Sequence, residues 1–560
     1  MSAAVMRTPG GDGRWLFGPI ADLALGCGLL YAAFFAAEIV AGPEMRSWLP
    51  LTLLPFLTLV LGSPHYGATL LRVYATRADR RRYFFFAIWV SLLVLVAFVV
   101  GLHVAFVGSL ILTVYLSWSP WHYSAQNYGV AVLLLRRRGA DVTPMTRRLL
   151  RASFVLSYLL FLLSLHGAGG TTPQTAIASY DGSIYSLLSL GIPTGVRDAL
   201  MVLALAAYLA CTAAAIGQLW RAGMLQAASP TLLIVIVQAV WFLLPASVVI
   251  WSALESVEPF APQYRAYAFM WVAVGHFLQY LWIATYYAAA SESRKGQIVY
   301  LGKALLAGSA IWTVPVLIFA PNLLGSLPYD VGLGLLAASA VNIHHFILDG
   351  VIWRLRDDRI ARMLLGPLAQ REAAGTEPMR QSRAWKWAGA AGWSLAGLVL
   401  LISFGASWES YVGNRAADEG NLERFELSAK RRAWLGRDSS EMRFLFGVRA
   451  MQSGDIERAH HELDRGMRLH PTADLWRLEG ELADMAGEQD RALAAFDEAI
   501  ALDPESAPAY YQSGRLLVDR GQLDEGLKRL ERANTLWPNN PPILQLLRAL
   551  RERGPSRASR

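Results

Sequence analysis

The chain has 560 residues, of which 54% are hydrophobic and 17% are charged. Soluble globular proteins carry about 25% charged residues, so this composition excludes an ordinary soluble domain over the whole length. The net charge of +8 comes mostly from arginines between apolar stretches, which is a topological signal rather than a nucleic-acid-binding surface. The two cysteines, Cys27 and Cys211, are too few for a disulfide framework or a cysteine metal site.

Apolar stretches of about 20 residues, the length that crosses a bilayer, recur along the first 400 residues or so. The first stretch is too long for the apolar part of a cleavable signal peptide, so it is interpreted as a membrane helix. Residues 1–14 precede it. The sequence predicts about eleven spans, at 15–41, 47–71, 83–104, 106–135, 148–167, 198–219, 230–254, 262–290, 299–320, 328–353 and 385–408.

The loops between these spans alternate in charge. Arginine clusters follow the second, fourth and tenth spans, whereas 167–196 and the loop after the ninth span contain few or no basic residues. The positive-inside rule then places the N-terminus and the arginine-rich loops in the cytoplasm. An odd number of spans places the C-terminal domain outside the cytoplasm. We therefore predict a protein of the bacterial plasma (inner) membrane with a periplasmic C-terminal domain.

Four of the predicted spans carry histidines at a similar depth. Each histidine precedes the cytoplasmic end of its span by about 7 to 14 residues, or roughly 10 to 20 Å of helix. An aromatic residue follows each site, and a polar residue lies one turn further on the same face. The histidines are His65, His122, His276 and the adjacent pair His344 and His345.

Ionisable side chains in a bilayer core are costly and normally serve a function. Neutral imidazoles with a carboxylate suit iron, copper or zinc. The residue types alone leave iron, zinc and copper open, with haem ranked lower. The predicted ligands are His65, His122, His276, His344, His345 and Asp349, and the predicted residues that orient them are Gln126, Gln279, Tyr123 and Tyr280.

The adjacent histidines cannot bind one ion side by side, because neighbours on a helix point about 100° apart. Asp349 lies four residues after His345 and shares its helix face. His345 and Asp349 are therefore the pair that the tenth span contributes to the predicted site.

The last 150 residues or so are rich in Arg, Glu, Asp and Ala and contain a repeat. Pro471, Pro504 and Pro538 are spaced by 33 and 34 residues, and glycines recur with them. Period and residue types match the tetratricopeptide repeat. We predict a repeat domain over 409–553, with one degenerate repeat, three repeats and a cap helix, followed by a disordered tail over 554–560.

The segments "SPHYG", "WHYSAQNYG" and "HHFILDGVIWR" also carry resemblances. The first, with the scattered histidines, resembles the histidine-rich integral membrane metalloenzymes, a group with lipid desaturases, hydroxylases and Brp/Blh-like carotene oxygenases. The other two resemble motifs of uncharacterised bacterial multi-spanning proteins. The first resemblance implies iron ligation by the histidines and oxidation of a lipid or isoprenoid.

The sequence thus favours an all-α fold: a polytopic membrane helix bundle over 15–408, containing a histidine cluster, followed by a soluble α-solenoid. The favoured function is an iron-dependent oxidase, oxygenase, desaturase or hydroxylase that acts on an apolar molecule within the bilayer. The repeats would bind a protein or peptide partner. The alternatives are a transporter that handles ions or protons and a membrane-anchored repeat scaffold.

Overall fold

The computed structural model describes residues 15–50, 53–74, 76–168, 183–251, 262–291, 294–321, 323–353, 364–365 and 383–552. Its regular elements within these ranges are helices, apart from one isolated bridge between Gly167 and Ile192. The prediction of an all-α fold is therefore confirmed. The predicted cytoplasmic N-terminus (1–14) and disordered tail (554–560) lie outside the described residues.

The chain divides into two compact units. Unit 1 comprises Met1–Ile318 and Gly332–Tyr411, and unit 2 comprises Phe319–Val331 and Val412–Arg560. The longer helices up to the start of the repeats are α1 Leu29–Ala41, α2 Ser63–Tyr74, α3 Phe85–His103, α4 Ala105–Arg137, α5 Pro144–Leu165, α6 Thr194–Arg221, α7 Leu225–Ile250, α8 Pro262–Ser291, α9 Arg294–Ile318, α10 Gly334–Ile352 and α11 Arg383–Asp418.

A described helix lies at each predicted span, but not all of these helices are equally apolar. Seven are long and apolar enough to cross a membrane, or eight if the segment Pro19–Gly26 and α1, bent by 63° at their junction, form one span. The helices α2, α4 and α8 are not among them, and these three carry His65, His122 and His276. The predicted count of about eleven spans is therefore not confirmed.

The apolar helices of unit 1 expose large hydrophobic side chains. Leu93 on α3, Leu203 on α6 and Leu401 on α11 are 67%, 67% and 69% exposed. A soluble domain rarely presents such continuous apolar faces to water. This outward-facing apolar surface is the pattern expected of helices surrounded by lipid.

Two glycines allow α2 and α9 to cross at close range. A Cβ atom at Gly67 would lie 1.8 Å from the carbonyl oxygen of Ala304, and one at Gly308 would lie 1.6 Å from that of Ser63. Small residues at such crossings let helix backbones approach within a membrane. His65 lies on α2 between Ser63 and Gly67, so this crossing sets its position.

Unit 2 contains successive helices after α11, namely α12 Leu422–Trp434, α13 Ser440–Gln452, α14 Ile456–Leu469, α15 Ala473–Met485, α16 Gln489–Leu502, α17 Ala507–Asp519, α18 Leu523–Leu536 and α19 Pro541–Glu552. The pairs α13/α14, α15/α16 and α17/α18 pack against each other. The first helices of these pairs begin at Ser440, Ala473 and Ala507. These starts are 33 and 34 residues apart, the same spacing as that of the three repeat prolines in the sequence.

A buried arginine joins α13 to α14. The Arg443 guanidinium forms ion pairs with Asp438 at 2.9 Å and with Glu462 at 2.6 Å. Burial lowers the pKa of Arg443, but its hydrogen bonds to the two carboxylates outweigh that effect and raise the pKa above its ordinary value. The segment Phe319–Val331 also belongs to this unit, where the Arg437 guanidinium lies 4.6 Å from the ring of Tyr329.

We expect Gly308→Ala to destabilise unit 1 by about 1–3 kcal/mol, the usual range for an overpacked core position. The added methyl group would force α2 and α9 apart. Gly302→Ala is the matched control. Gly302 lies on the same helix, α9, and a Cβ atom there would meet nothing within 4 Å. Thermal unfolding of the detergent-purified protein measures both, and equal midpoints for the two variants would contradict the close crossing.

Candidate metal centre

Four helices bring four histidines together. His65 on α2, His122 on α4, His276 on α8 and His345 on α10 each offer a ring nitrogen, and these atoms all lie within 4.8 Å of one another. All four side chains are buried. The structure therefore gathers four of the six predicted ligands at one point.

The four imidazoles form a closed quadrilateral. Its sides, measured between ring centroids, are 4.4 Å from His65 to His345, 5.2 Å from His345 to His122, 5.0 Å from His122 to His276 and 4.9 Å from His276 to His65. The sides are similar, so each ring has two histidine neighbours. A central ion could reach all four from one position.

Many of the ring nitrogens in this cluster lack hydrogen-bond partners. These are Nδ1 of His65, Nε2 of His122 and both nitrogens of His276 and His345. A buried polar atom without a partner costs about 1–3 kcal/mol, and native proteins contain few of them. A metal ion would bind the free lone pairs, and neutral imidazoles suit iron, copper and zinc. The residues present thus fit a transition-metal ion.

Aromatic rings pack directly on the histidines. Tyr123 stacks on His276 at a centroid distance of 4.1 Å, and Phe346 stacks on His122 at 4.4 Å. The edge of Tyr280 meets His65 at 4.1 Å. The predicted supporting residues Tyr123 and Tyr280 therefore contact the cluster, and packing of this kind limits ring rotation.

Asp349 lies at the edge of the cluster. Its Oδ2 is 4.0 Å from Nε2 of His122, and its Oδ1 accepts a hydrogen bond from Thr69 at 3.3 Å. Because the Thr69 hydroxyl donates its hydrogen to Asp349, Thr69 accepts a hydrogen bond from the Tyr280 hydroxyl at 2.6 Å. The Tyr280 oxygen in turn accepts a hydrogen bond from Nε1 of Trp353 at 3.1 Å. This chain of donors orients a carboxylate beside His122, as outer partners of metal sites commonly do.

The structure does not place His344 among the four histidines. Its Nε2 lies 2.8 Å from the Ser91 hydroxyl of α3. The 100° angle between adjacent helical residues explains why His344 and His345 face different neighbours.

Gln126 and Gln279 join a network of amides next to the cluster. Nε2 of Gln126 donates to Oε1 of Gln279 at 2.6 Å, and Nε2 of Gln279 donates to the Gly26 carbonyl at 2.8 Å and to Asn127 at 3.0 Å. Asn127 donates in turn to Gln238 at 2.8 Å. These bonds tie α4, α7 and α8 together, so the two glutamines hold the helices that carry His122 and His276.

Sequence reasoning assigned no role to three residues of the site. Phe346 follows His345 in the chain but packs on His122, Trp353 starts the donor chain, and Asn342 accepts a hydrogen bond from the Tyr66 hydroxyl at 2.8 Å. Their types were visible, since each is an aromatic or polar residue near the two histidines of α10. Their partners lie on other helices, which the sequence does not reveal.

A cavity of about 250 Å³ adjoins the cluster, and we call it the α4 cavity. His122, Gln126, Tyr280 and Asp349 line one part of it. The proposed metal position is therefore next to a space that could hold a second molecule.

Comparison with known proteins bears on unit 2. The tetratricopeptide repeat family matches residues 485–550, which confirms the predicted repeats over that part of the chain. No curated protein matches the chain. Arrays of this repeat present curved surfaces that bind peptides or proteins, so the match indicates a module for protein–protein interaction.

We expect Thr69→Val to weaken the binding of Zn²⁺, used as a probe ion, by about 10–100-fold, the usual effect of losing an outer partner. Valine keeps the shape of threonine but removes the hydroxyl that orients Asp349. Thr231→Val is the control, since Thr231 is also buried and its hydroxyl donates to the Ala131 carbonyl at 3.1 Å. Titration against a competing chelator measures both affinities, and an unchanged affinity in Thr69→Val would rule out this role for the donor chain.

Proposed function

We propose that this chain is an integral membrane metalloprotein whose ion is held by His65, His122, His276 and His345. The observation that carries the proposal is the convergence of these buried rings with unpartnered nitrogens. Asp349 lies close enough to compensate part of the charge of a divalent ion. The repeats of unit 2 would recruit a protein partner.

Iron is the ion that we place first. Structural zinc sites close with four ligands, whereas this cluster has a carboxylate and a cavity beside its four imidazoles. Such a site leaves room for an additional ligand or a reacting molecule. With the sequence resemblance, this supports an iron-dependent oxidase, oxygenase, desaturase or hydroxylase that acts on an apolar substrate.

The course of α4 and α8 favours a fixed metal site over a transport pathway. Transporters commonly bind ions at helices that are interrupted near the middle of the membrane. Here α4 runs without interruption through Pro120 and His122, and α8 is continuous through His276. The other two helices are less regular, because α2 begins directly after a π-helical turn over Thr58–Gly62 and non-helical Gly332 precedes α10.

The exposed apolar faces of unit 1 and the seven or eight helices long and apolar enough to cross a bilayer support a membrane location. The proposed orientation places the arginine-rich loops in the cytoplasm and the repeats outside it. It requires that α2, α4 and α8 also cross. Their polar residues face the bundle interior in this arrangement, as polar residues in membranes generally do.

We expect the purified wild-type protein to contain stoichiometric metal, and His345→Ala and His122→Ala to lose it. His344→Ala is a closely matched control, because His344 is buried on the same helix but bonds to Ser91. Elemental analysis by mass spectrometry and a visible spectrum provide the readout. A metal-free, folded wild-type protein, or equal loss in His344→Ala, would refute the proposed site, and a haem band would redirect it to haem.

The number of spans has a consequence that reporter fusions can test. Eleven spans, like seven, place the two ends of the chain on opposite sides of the membrane, whereas eight place them on the same side. We expect alkaline phosphatase fused after Arg560 to be active and green fluorescent protein at the same position to be dark. With the N-terminus in the cytoplasm, the reverse result would show that an even number of helices cross.

A further inference from the structure

The α4 cavity extends along α4. Its lining on that helix runs from His122 to Leu133, which is roughly 16 Å of helix. Its volume is about 250 Å³, and it is open on one side, because the exposed residues Ala125 and Gly350 belong to its lining. A cleft of that length can take an extended chain.

The two ends of the cavity differ in chemistry. His122 of the cluster and Asp349 lie at one end, while Val130, Leu133, Ile283 and Leu364 line the part further along α4. Apolar walls of this kind match a hydrocarbon chain. A molecule lying along the cavity would therefore place a polar end beside the cluster.

Gln126 indicates what that polar end is. Its Oε1 atom is buried without a hydrogen-bond partner, while its Nε2 donates to Gln279. The Gln126 side chain lines the cavity, so a small rotation of its amide would let this oxygen accept a hydrogen bond from a ligand that carries an O–H or N–H group. A hydroxyl group can donate to Gln126 and still direct an oxygen lone pair towards the cluster.

Two glycines line the cavity, Gly129 on α4 and Gly350 on α10. A Cβ atom at either position would meet nothing within 4 Å. Larger side chains at these positions would therefore take up space in the cavity.

We propose that the α4 cavity binds a single-chain lipid with a hydroxyl head group, the head beside Gln126 and the chain along α4 towards Leu133. This inference rests on the proposed metal centre, because it places the hydroxyl group next to the bound ion. The occupant would be the substrate of that centre.

The test uses the full-length protein loaded with Co²⁺, whose visible spectrum reports changes close to the ion. 1-Dodecanol is added to the detergent micelles in increasing amounts, with dodecane as the probe that lacks a hydroxyl. We expect saturable spectral changes with dodecanol and none with dodecane. Gly129→Leu should need at least tenfold more dodecanol, and Gly350→Leu, which fills the cavity from α10, should do the same.

Gly217→Leu is the matched control. Gly217 also lies within a helix, α6, and a Cβ atom there meets nothing within 4 Å, but it does not line the cavity. It should respond as the wild type does. A Co²⁺ spectrum that dodecanol leaves unchanged, or Gly129→Leu and Gly350→Leu that respond like Gly217→Leu, would overturn the lipid site while the metal centre stands. Absence of a Co²⁺ spectrum in the folded wild type would overturn both.

Discussion

The burial of unpartnered imidazole nitrogens is the constraint on which the rest of unit 1 depends. Each such atom, away from water and without a hydrogen bond, lowers the stability of the fold. In a membrane the cost is compounded, because polar residues also lower the affinity of a helix for lipid. The four helices α2, α4, α8 and α10 carry this cost, and the first three of them are not among the helices long and apolar enough to cross a membrane. A bound ion offsets it by using the free lone pairs.

Holding four rings around one point requires that the four helices have no freedom to slide. Two different devices supply this. The glycine crossing fixes α2 against α9 through backbone contact at Gly67 and Gly308, and the amide network of Gln126, Gln279 and Asn127 fixes α4 against α8. Backbone contact sets distance, and directional hydrogen bonds set register. Together they place His65, His122 and His276 before any ion binds.

The sequence predicted the cluster well because depth and helix face are local properties. Counting residues to the end of each span placed the histidines in one layer, and the 100° rule singled out His345 with Asp349 on α10. It could not predict which rings are neighbours, or that Tyr280 connects Trp353 to Thr69, because these contacts join helices far apart in the chain. The predicted count of eleven spans was not confirmed for a related reason. A helix that faces a polar interior, as α4 and α8 do, need not be strongly apolar.

His344 and His345 show how one residue position separates two roles. Both are buried on α10, yet His344 reaches a hydroxyl on α3 while His345 meets three other imidazoles. The hydroxyl of Ser91 satisfies one nitrogen of His344, whereas neither nitrogen of His345 has a partner. A hydrogen bond therefore compensates for the burial of the His344 ring, whereas no hydrogen bond compensates for the burial of the His345 ring. That contrast, within one helix and between identical side chains, is why the proposed ion belongs with His345.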